Sequence, residues 1–140
     1  MTLTLTPFIQ LDGKAEEAIR FYEQALEAEV VFKQTFGDAP ADPERPMPDS
    51  LKGRVAHSVL KVGDAELFVA DSETESSERP GSLVCVCIST ADVARSQRLF
   101  ESLSRGGRVD MPLQPTYFSP GFGVVTDKFG VVFQIFTKRD

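Results

Sequence analysis

FIQLDGKAEEAIRFYEQAL, Phe8–Leu26, and VCVCISTADVARSQRLFESL, Val84–Leu103, are the two stretches on which the fold turns. Each starts as a short extended run, crosses a polar break and continues with apolar residues at helical spacing. In the first, Ala15, Ala18, Ile19, Tyr22, Ala25 and Leu26 make one stripe. Glu16 and Glu17 stand in its first turn, where the helix dipole favours anions. In the second, Ser89 or Thr90 is the expected cap of a helix over Asp92–Leu103. Val93, Phe100 and Leu103 point inward there, and Gly106-Gly107 ends the helix. Phe21 aligns with Leu99 and Tyr22 with Phe100, an offset of 78 residues. Two copies are too few for a solenoid. A tandem duplication accounts for them better.

Strand signals follow each helix. Val30–Phe36 reads as a strand, and AHSVLKVGDAELFVAD, Ala56–Asp71, as a hairpin turning at Gly63-Asp64 with glycine first. That register sets Leu60 opposite Leu67, Lys61 opposite Glu66, Val59 opposite Phe68 and His57 opposite Ala70. One face is then almost wholly apolar, and the Lys61–Glu66 pair adds about 0.2–1 kcal/mol. VVTDKFGVVFQIF, Val124–Phe136, is a second hairpin, with Asp127–Gly130 as its loop and Gln134 opposite Gly123. Glycine there would leave room for the amide. Val109–Met111 extends a strand ahead of a Pro112–Pro120 loop. Gly37–Gly53, with four of the nine prolines, is a long loop, and Asp71–Ser82 an acidic, serine-rich linker.

The expected fold class is α+β: tandem βαβββ modules forming curled mixed sheets around a central cleft, with the helices outside. Residues 1–140 are expected to make a single domain, with module one over about 1–71, the linker over 72–82 and module two over about 83–140.

Composition narrows the function. The chain has 140 residues, long enough for a real core. A net charge of −6, with no basic cluster, argues against a nucleic-acid partner. No apolar run approaches the ~20 residues of a membrane span, and Met1–Phe8 is too short and polar for a secretory signal. Residence in the cytoplasm and no membrane partner are expected. Cys85 and Cys87, the only cysteines, share a strand face and read as two small buried apolar side chains, with redox chemistry as the alternative. With a single histidine in the chain they do not make a structural zinc site. No serine lies in a nucleophile elbow, and no glycine-rich strand–loop–helix is present for a phosphate or a nucleotide-like cofactor.

The duplicated βαβββ pattern resembles the vicinal oxygen chelate superfamily, which includes glyoxalase I, extradiol dioxygenases, fosfomycin-resistance enzymes and bleomycin-sequestering proteins. TPFIQLDGKAEEAIRFYEQAL, VAHSVLKVGDAELFVAD and MPLQPTYFSPGFGVVTDKFGVVFQIF are similar to its PhnB-like branch, sometimes labelled demethylubiquinone methyltransferase-like. MPLQ-x-T followed by FG-x-x-TDKFG is the most specific signature. Where that branch usually carries tryptophan, this chain has Tyr117-Phe118 and Phe133, and it has no tryptophan at all. The methyltransferase label finds no support in the residues, since no doubly wound parallel sheet is expected.

The resemblance implies a metal position fed by the first and last strands of each half. Residue by residue these strands offer Thr6 to Phe8, Phe68, Leu83 and Gln134. Phe68 and Leu83 have no donor atom, so no metal and no other cofactor is expected at that place. A displaced set of His57 with Gln10 and Gln134 across the cleft would carry too little charge. The expected occupant is a small organic molecule. Its expected contacts are Gln10, His57, Phe68, Leu83, Cys85, Tyr117, Phe122, Gln134 and Phe136. Two other functions stay open: a metal-dependent lyase, isomerase or dioxygenase with displaced ligands, and a dimeric module with a vestigial cleft. The resemblance also implies a homodimer, and the proline-rich Gly37–Gly53 loop is the natural candidate for a lid or dimer arm.

Overall fold

The computed structural model describes residues 4–38, 46–72 and 84–139. Leu83, most of the expected linker, and Pro40 and Pro43 of the long loop lie outside them. The chain forms two compact units, Met1–Ser77 and Glu78–Asp140.

The first unit runs β1 (Phe8–Leu11), α1 (Ala15–Ala25), β2 (Glu29–Thr35), a 3-10 turn (Phe36–Asp38), α2 (Asp49–Lys52), β3 (Val55–Val62) and β4 (Ala65–Asp71). Its sheet has the order β1-β4-β3-β2, with β1 parallel to β4 and the other pairs antiparallel. The second unit runs β5 (Val86–Thr90), α3 (Val93–Ser104), β6 (Arg108–Thr116), β7 (Ser119–Thr126) and β8 (Val132–Thr137). The order is β5-β8-β7-β6, again with the first and last strands parallel. The expected α+β class with two mixed four-stranded sheets is thus observed, and neither sheet closes into a barrel.

Each sheet gives one face to its helix. In the first unit Ile9, Leu60, Leu67 and Val69 are buried, as are Ala15, Ala18, Ile19, Tyr22 and Ala25 of α1. Alanines on the inner stripe let the helix approach the strands closely. The buried residues Ala18, Tyr22 and Ala25 recur as Ser96, Phe100 and Leu103 of α3 at the 78-residue offset read from the sequence. The β3–β4 register is the expected one, with Val59 opposite Phe68, Leu60 opposite Leu67 and Lys61 opposite Glu66. Gly63 has φ of +59°, which suits the glycine-first turn.

Buried polar groups fasten each helix to its sheet. No side chain of its own caps α1 at Lys14. Instead the Asp71 carboxylate, 4% exposed at the end of β4, accepts from the backbone N–H of Ala15 at 3.0 Å and of Val55 at 3.0 Å. One side chain thereby satisfies an orphan donor of the helix and one of the next strand. In the second unit a hydroxyl chain has this role. Ser96 on α3 lies 2.6 Å from Thr90 and 2.7 Å from Thr137, and Thr137 donates to the Gly121 carbonyl at 2.7 Å. Among the described residues no buried side-chain polar atom lacks a partner.

Four expectations need correction here. The last hairpin turns one residue later than expected. Asp127 N–H donates to the Val131 carbonyl, and the Asp127 carboxylate accepts from Phe129 and Val131 N–H at 2.9 and 3.0 Å. The turn therefore takes in Val131, and Gln134 pairs with Val124 while Gly123 pairs with Ile135. No vacant space lies over Gly123, because Phe100 of α3 fills it. Pro112–Pro120 is not a loop: β6 continues through Pro112 and Pro115 to Thr116, and β7 begins at Ser119. Proline is tolerated there because β6 is an edge strand whose outer N–H groups have no ladder partner. The cap of α3 is Asp92, whose carboxylate accepts from Arg95 N–H at 2.8 Å; Thr90 is diverted to Ser96. Within Gly37–Gly53 the described part includes the short helix α2.

Two substitutions test this packing. Asp71→Ala should lower unfolding free energy by about 2–4 kcal/mol, since it orphans two buried N–H donors. A Cβ at Gly123 would stand 2.7 Å from Phe100 Cε2 and 3.0 Å from the Met111 carbonyl oxygen. Gly123→Ala should therefore cost roughly 1–3 kcal/mol through overpacking. Both are read from urea unfolding midpoints at constant m.

Candidate functional site

Strand alternation assigns the second face of each sheet, the one turned from its helix. In the first unit that face carries an aromatic row. Phe68 on β4 meets Phe8 on β1 edge-on, at 6.3 Å between ring centroids and 89° between planes. The imidazole of His57 on β3 approaches the other side of Phe68 at 5.0 Å and 68°. Phe32 on β2 lies 6.1 Å from His57. Edge-to-face pairs of this kind contribute about 0.5–1.5 kcal/mol beyond area burial. The row nevertheless stays open, with Phe8 54% and Phe32 46% exposed. Its polar members are His57, half-buried, Gln34 directly across from it on β2, and Gln10. Gln10 pairs with Ala70, so it belongs to the same sheet as His57, two strands away, and not to an opposing wall as expected.

The second unit repeats the arrangement with different residues. Gln134 on β8 is flanked by Cys87 on β5 and Val124 on β7. One step along, Phe136 is flanked by Ser89 and Phe122. Phe118, from the turn between β6 and β7, stacks parallel to Phe136 at 6.2 Å and touches Phe122 edge-on at 5.0 Å. Tyr117 extends the cluster and is 93% exposed. Arg139 fixes this turn by donating to the carbonyls of Thr116 and Tyr117 at 3.1 and 3.2 Å. Gln134 is half-buried, and among the described residues no side chain or backbone group bonds its amide.

The expected contacts thus fall into two groups: Gln10, His57 and Phe68 on the first face, and Tyr117, Phe122, Gln134 and Phe136 on the second. Cys85 is half-buried just ahead of β5. Sequence reasoning missed Phe32 and Phe118. The alternation of β2 would have offered Phe32 but for a bulge at Val30–Phe32, and Phe118 was assigned to a loop that is a tight turn. The cysteines also need correction. Cys87 is exposed on the edge strand β5, not buried. Partial shielding of its sulfur pushes the thiol pKa up, against a smaller opposing hydrogen bond from Ser89, and the neighbouring Cys85 raises it a little further. A raised pKa lowers the thiolate fraction and with it the reactivity of the sulfur.

A family model described as the Glyoxalase/Bleomycin resistance protein/Dioxygenase superfamily matches residues 4–135. The chain belongs to this superfamily. It is 27% identical over 139 residues to Protein YjdN of Escherichia coli (strain K12), covering 95% of this chain and 94% of that one. The crystal structure of protein PA1353 from Pseudomonas aeruginosa is similar at a TM-score of 0.86 and 30% identity, over 99% of this chain and all of the other. The PhnB protein of Bacillus cereus is similar at a TM-score of 0.76 and 25% identity, over 96% and 99% of the two chains.

Metal-using members of the superfamily draw ligands from the first and last strands of each half. Here β1 and β4 put Phe8 beside Phe68, while β5 and β8 put Cys87 beside Gln134. Leu83, the expected contribution of β5, lies outside the described residues. Two phenyl rings, a soft thiol and a neutral amide do not suit a hard divalent ion, which takes carboxylate, carbonyl or imidazole donors. Among the described residues no three of His, Cys, Asp and Glu come together. No helix of the described residues is long and apolar enough to cross a membrane.

The thiol offers a direct check. Cys87 should alkylate with iodoacetamide more slowly at pH 8 than an unhindered peptide thiol, and its rate–pH midpoint should lie above the ordinary thiol value. Peptide mass mapping against time measures both. A midpoint at or below the ordinary value contradicts the shielding.

Proposed function

We propose that the protein binds a small organic molecule with an aromatic or apolar body on the helix-free sheet faces, and that it does so without a divalent ion. The observation that carries this is Gln134. A half-buried amide with no partner among the described residues is left to bond water or a ligand. Phe136, two residues along the same strand, stacks with Phe118 on the same face, and in the first unit His57 stands against Phe68. Small-molecule sites combine an apolar, aromatic lining with a few fixed polar groups, and both faces supply that combination of side chains. The donor chemistry of Phe8, Phe68, Cys87 and Gln134 supports binding without a metal. Homodimerisation forms part of the same proposal, supported by the apolar side chains of Phe8, Val31 and Phe32 that a single chain leaves exposed.

Thermal-shift screening of aromatic acids, amides and phenols, with and without EDTA, tests the proposal. Stabilising compounds are expected, with the same ranking in chelator. Gln134→Leu should weaken the best of them by roughly tenfold, and Phe68→Ala should weaken it too. Binding that vanishes in EDTA, or that survives both substitutions unchanged, would overturn the proposal. Light scattering of the purified chain decides whether it pairs.

A further inference from the structure

The second unit has a cavity on the other side of its sheet, distinct from the aromatic face. A groove of about 480 Å³ runs between α3 and β6. α3 packs most closely on β7 and β8, the two middle strands, and the groove opens along its flank toward the edge strand β6. Phe100, Leu113, Pro115 and Pro120 supply apolar walls. Gln97 and Glu101, one turn apart on α3, supply polar atoms.

In the first unit the matching seam is closed. Lys33 on β2 reaches across to Glu16 on α1, with Nζ–Oε distances of 2.7 and 3.0 Å. Among the described residues the second unit has no such bridge, no basic side chain lines the groove, and Glu101 is its one charged group. Among the described residues no ion pair reaches Glu101, although Arg98 and Arg105 are near in sequence; its one partner is Gln97, whose amide donates to Oε1 at 3.4 Å. The second carboxylate oxygen is left for a ligand.

An apolar trough with a single uncompensated carboxylate selects by charge. We propose that this groove is a second binding site, for a small organic cation with an aromatic or aliphatic body, the ammonium group at Glu101 and the body against Phe100 and the two prolines. Its size lies within the range of ordinary ligand sites. Proline contributes here as well, since Pro115 gives the edge strand a rigid apolar surface with no N–H to hydrate.

The probe is 1-naphthylmethylammonium, with 1-naphthylacetate as the matched anion. Titration of the full-length ¹⁵N-labelled protein should give saturable shifts in the amides of Gln97–Ser104 and Val109–Gly121 for the cation only. Glu101→Gln removes the charge at an exposed position and should weaken binding about threefold to fivefold. Gln114→Lys sets a cation in the groove and should weaken it further. Three results overturn the proposal: equal affinity for the anion, an unchanged dissociation constant in Glu101→Gln, or shifts that map elsewhere or never saturate.

Discussion

Each sheet of this protein has four strands and one helix to cover it, and that shortage governs the rest. A helix about 10 Å wide cannot shield both faces of a sheet, or even the whole of one. Where the helix lies over it the sheet is closely packed, as Phe100 over Gly123 shows. The other face must bear whatever the period-two alternation places there. In both units it bears rings: Phe8, Phe68, His57 and Phe32 in one, Phe118, Phe122 and Phe136 in the other. Fold and site are therefore the same decision, taken residue by residue along each strand.

Two chemically unlike devices seat the helices. Asp71 bridges α1 and β3 with one buried carboxylate, whereas Thr90, Ser96 and Thr137 link α3 to its sheet through hydroxyls. Both devices stand at the end of the strand that pairs in parallel with the first strand of its unit. Buried polar groups that are fully satisfied set the position of a packed element more sharply than apolar contact does. The halves thus share a geometry that their side chains reach by different chemistry. The Asp127 of the TDKFG signature belongs to the same class. Its carboxylate builds a turn, so the most recognisable motif in the chain serves the scaffold and not the ligand.

Much of this was legible in the sequence. Helical stripes, the Gly63-Asp64 hairpin and the 78-residue offset follow from local spacing, and local spacing is what a sequence displays. The failures share another cause. The turn after Thr126 holds five residues because the Asp127 side chain draws in Val131, a contact no pattern announces. β6 looked like a loop because its prolines hide an edge strand, and edge position is a property of the assembled sheet. Alternation put Gln10, His57, Phe68, Phe122, Gln134 and Phe136 on the helix-free faces, where the structure has them, while Phe32 was lost to a bulge. Which of them share a sheet was beyond alternation, as the case of Gln10 and His57 shows.

The prolines of β6 have one more effect. Pro112 and Pro115 carry no backbone N–H, so the edge strand β6 offers an incoming chain fewer donors than a proline-free strand would. Fibrillar growth by strand addition needs an unbroken row. The opposite border, β5, is five residues long, and a short edge strand is likewise a poor template. Both borders of the second sheet thus discourage strand addition, one by composition and the other by length.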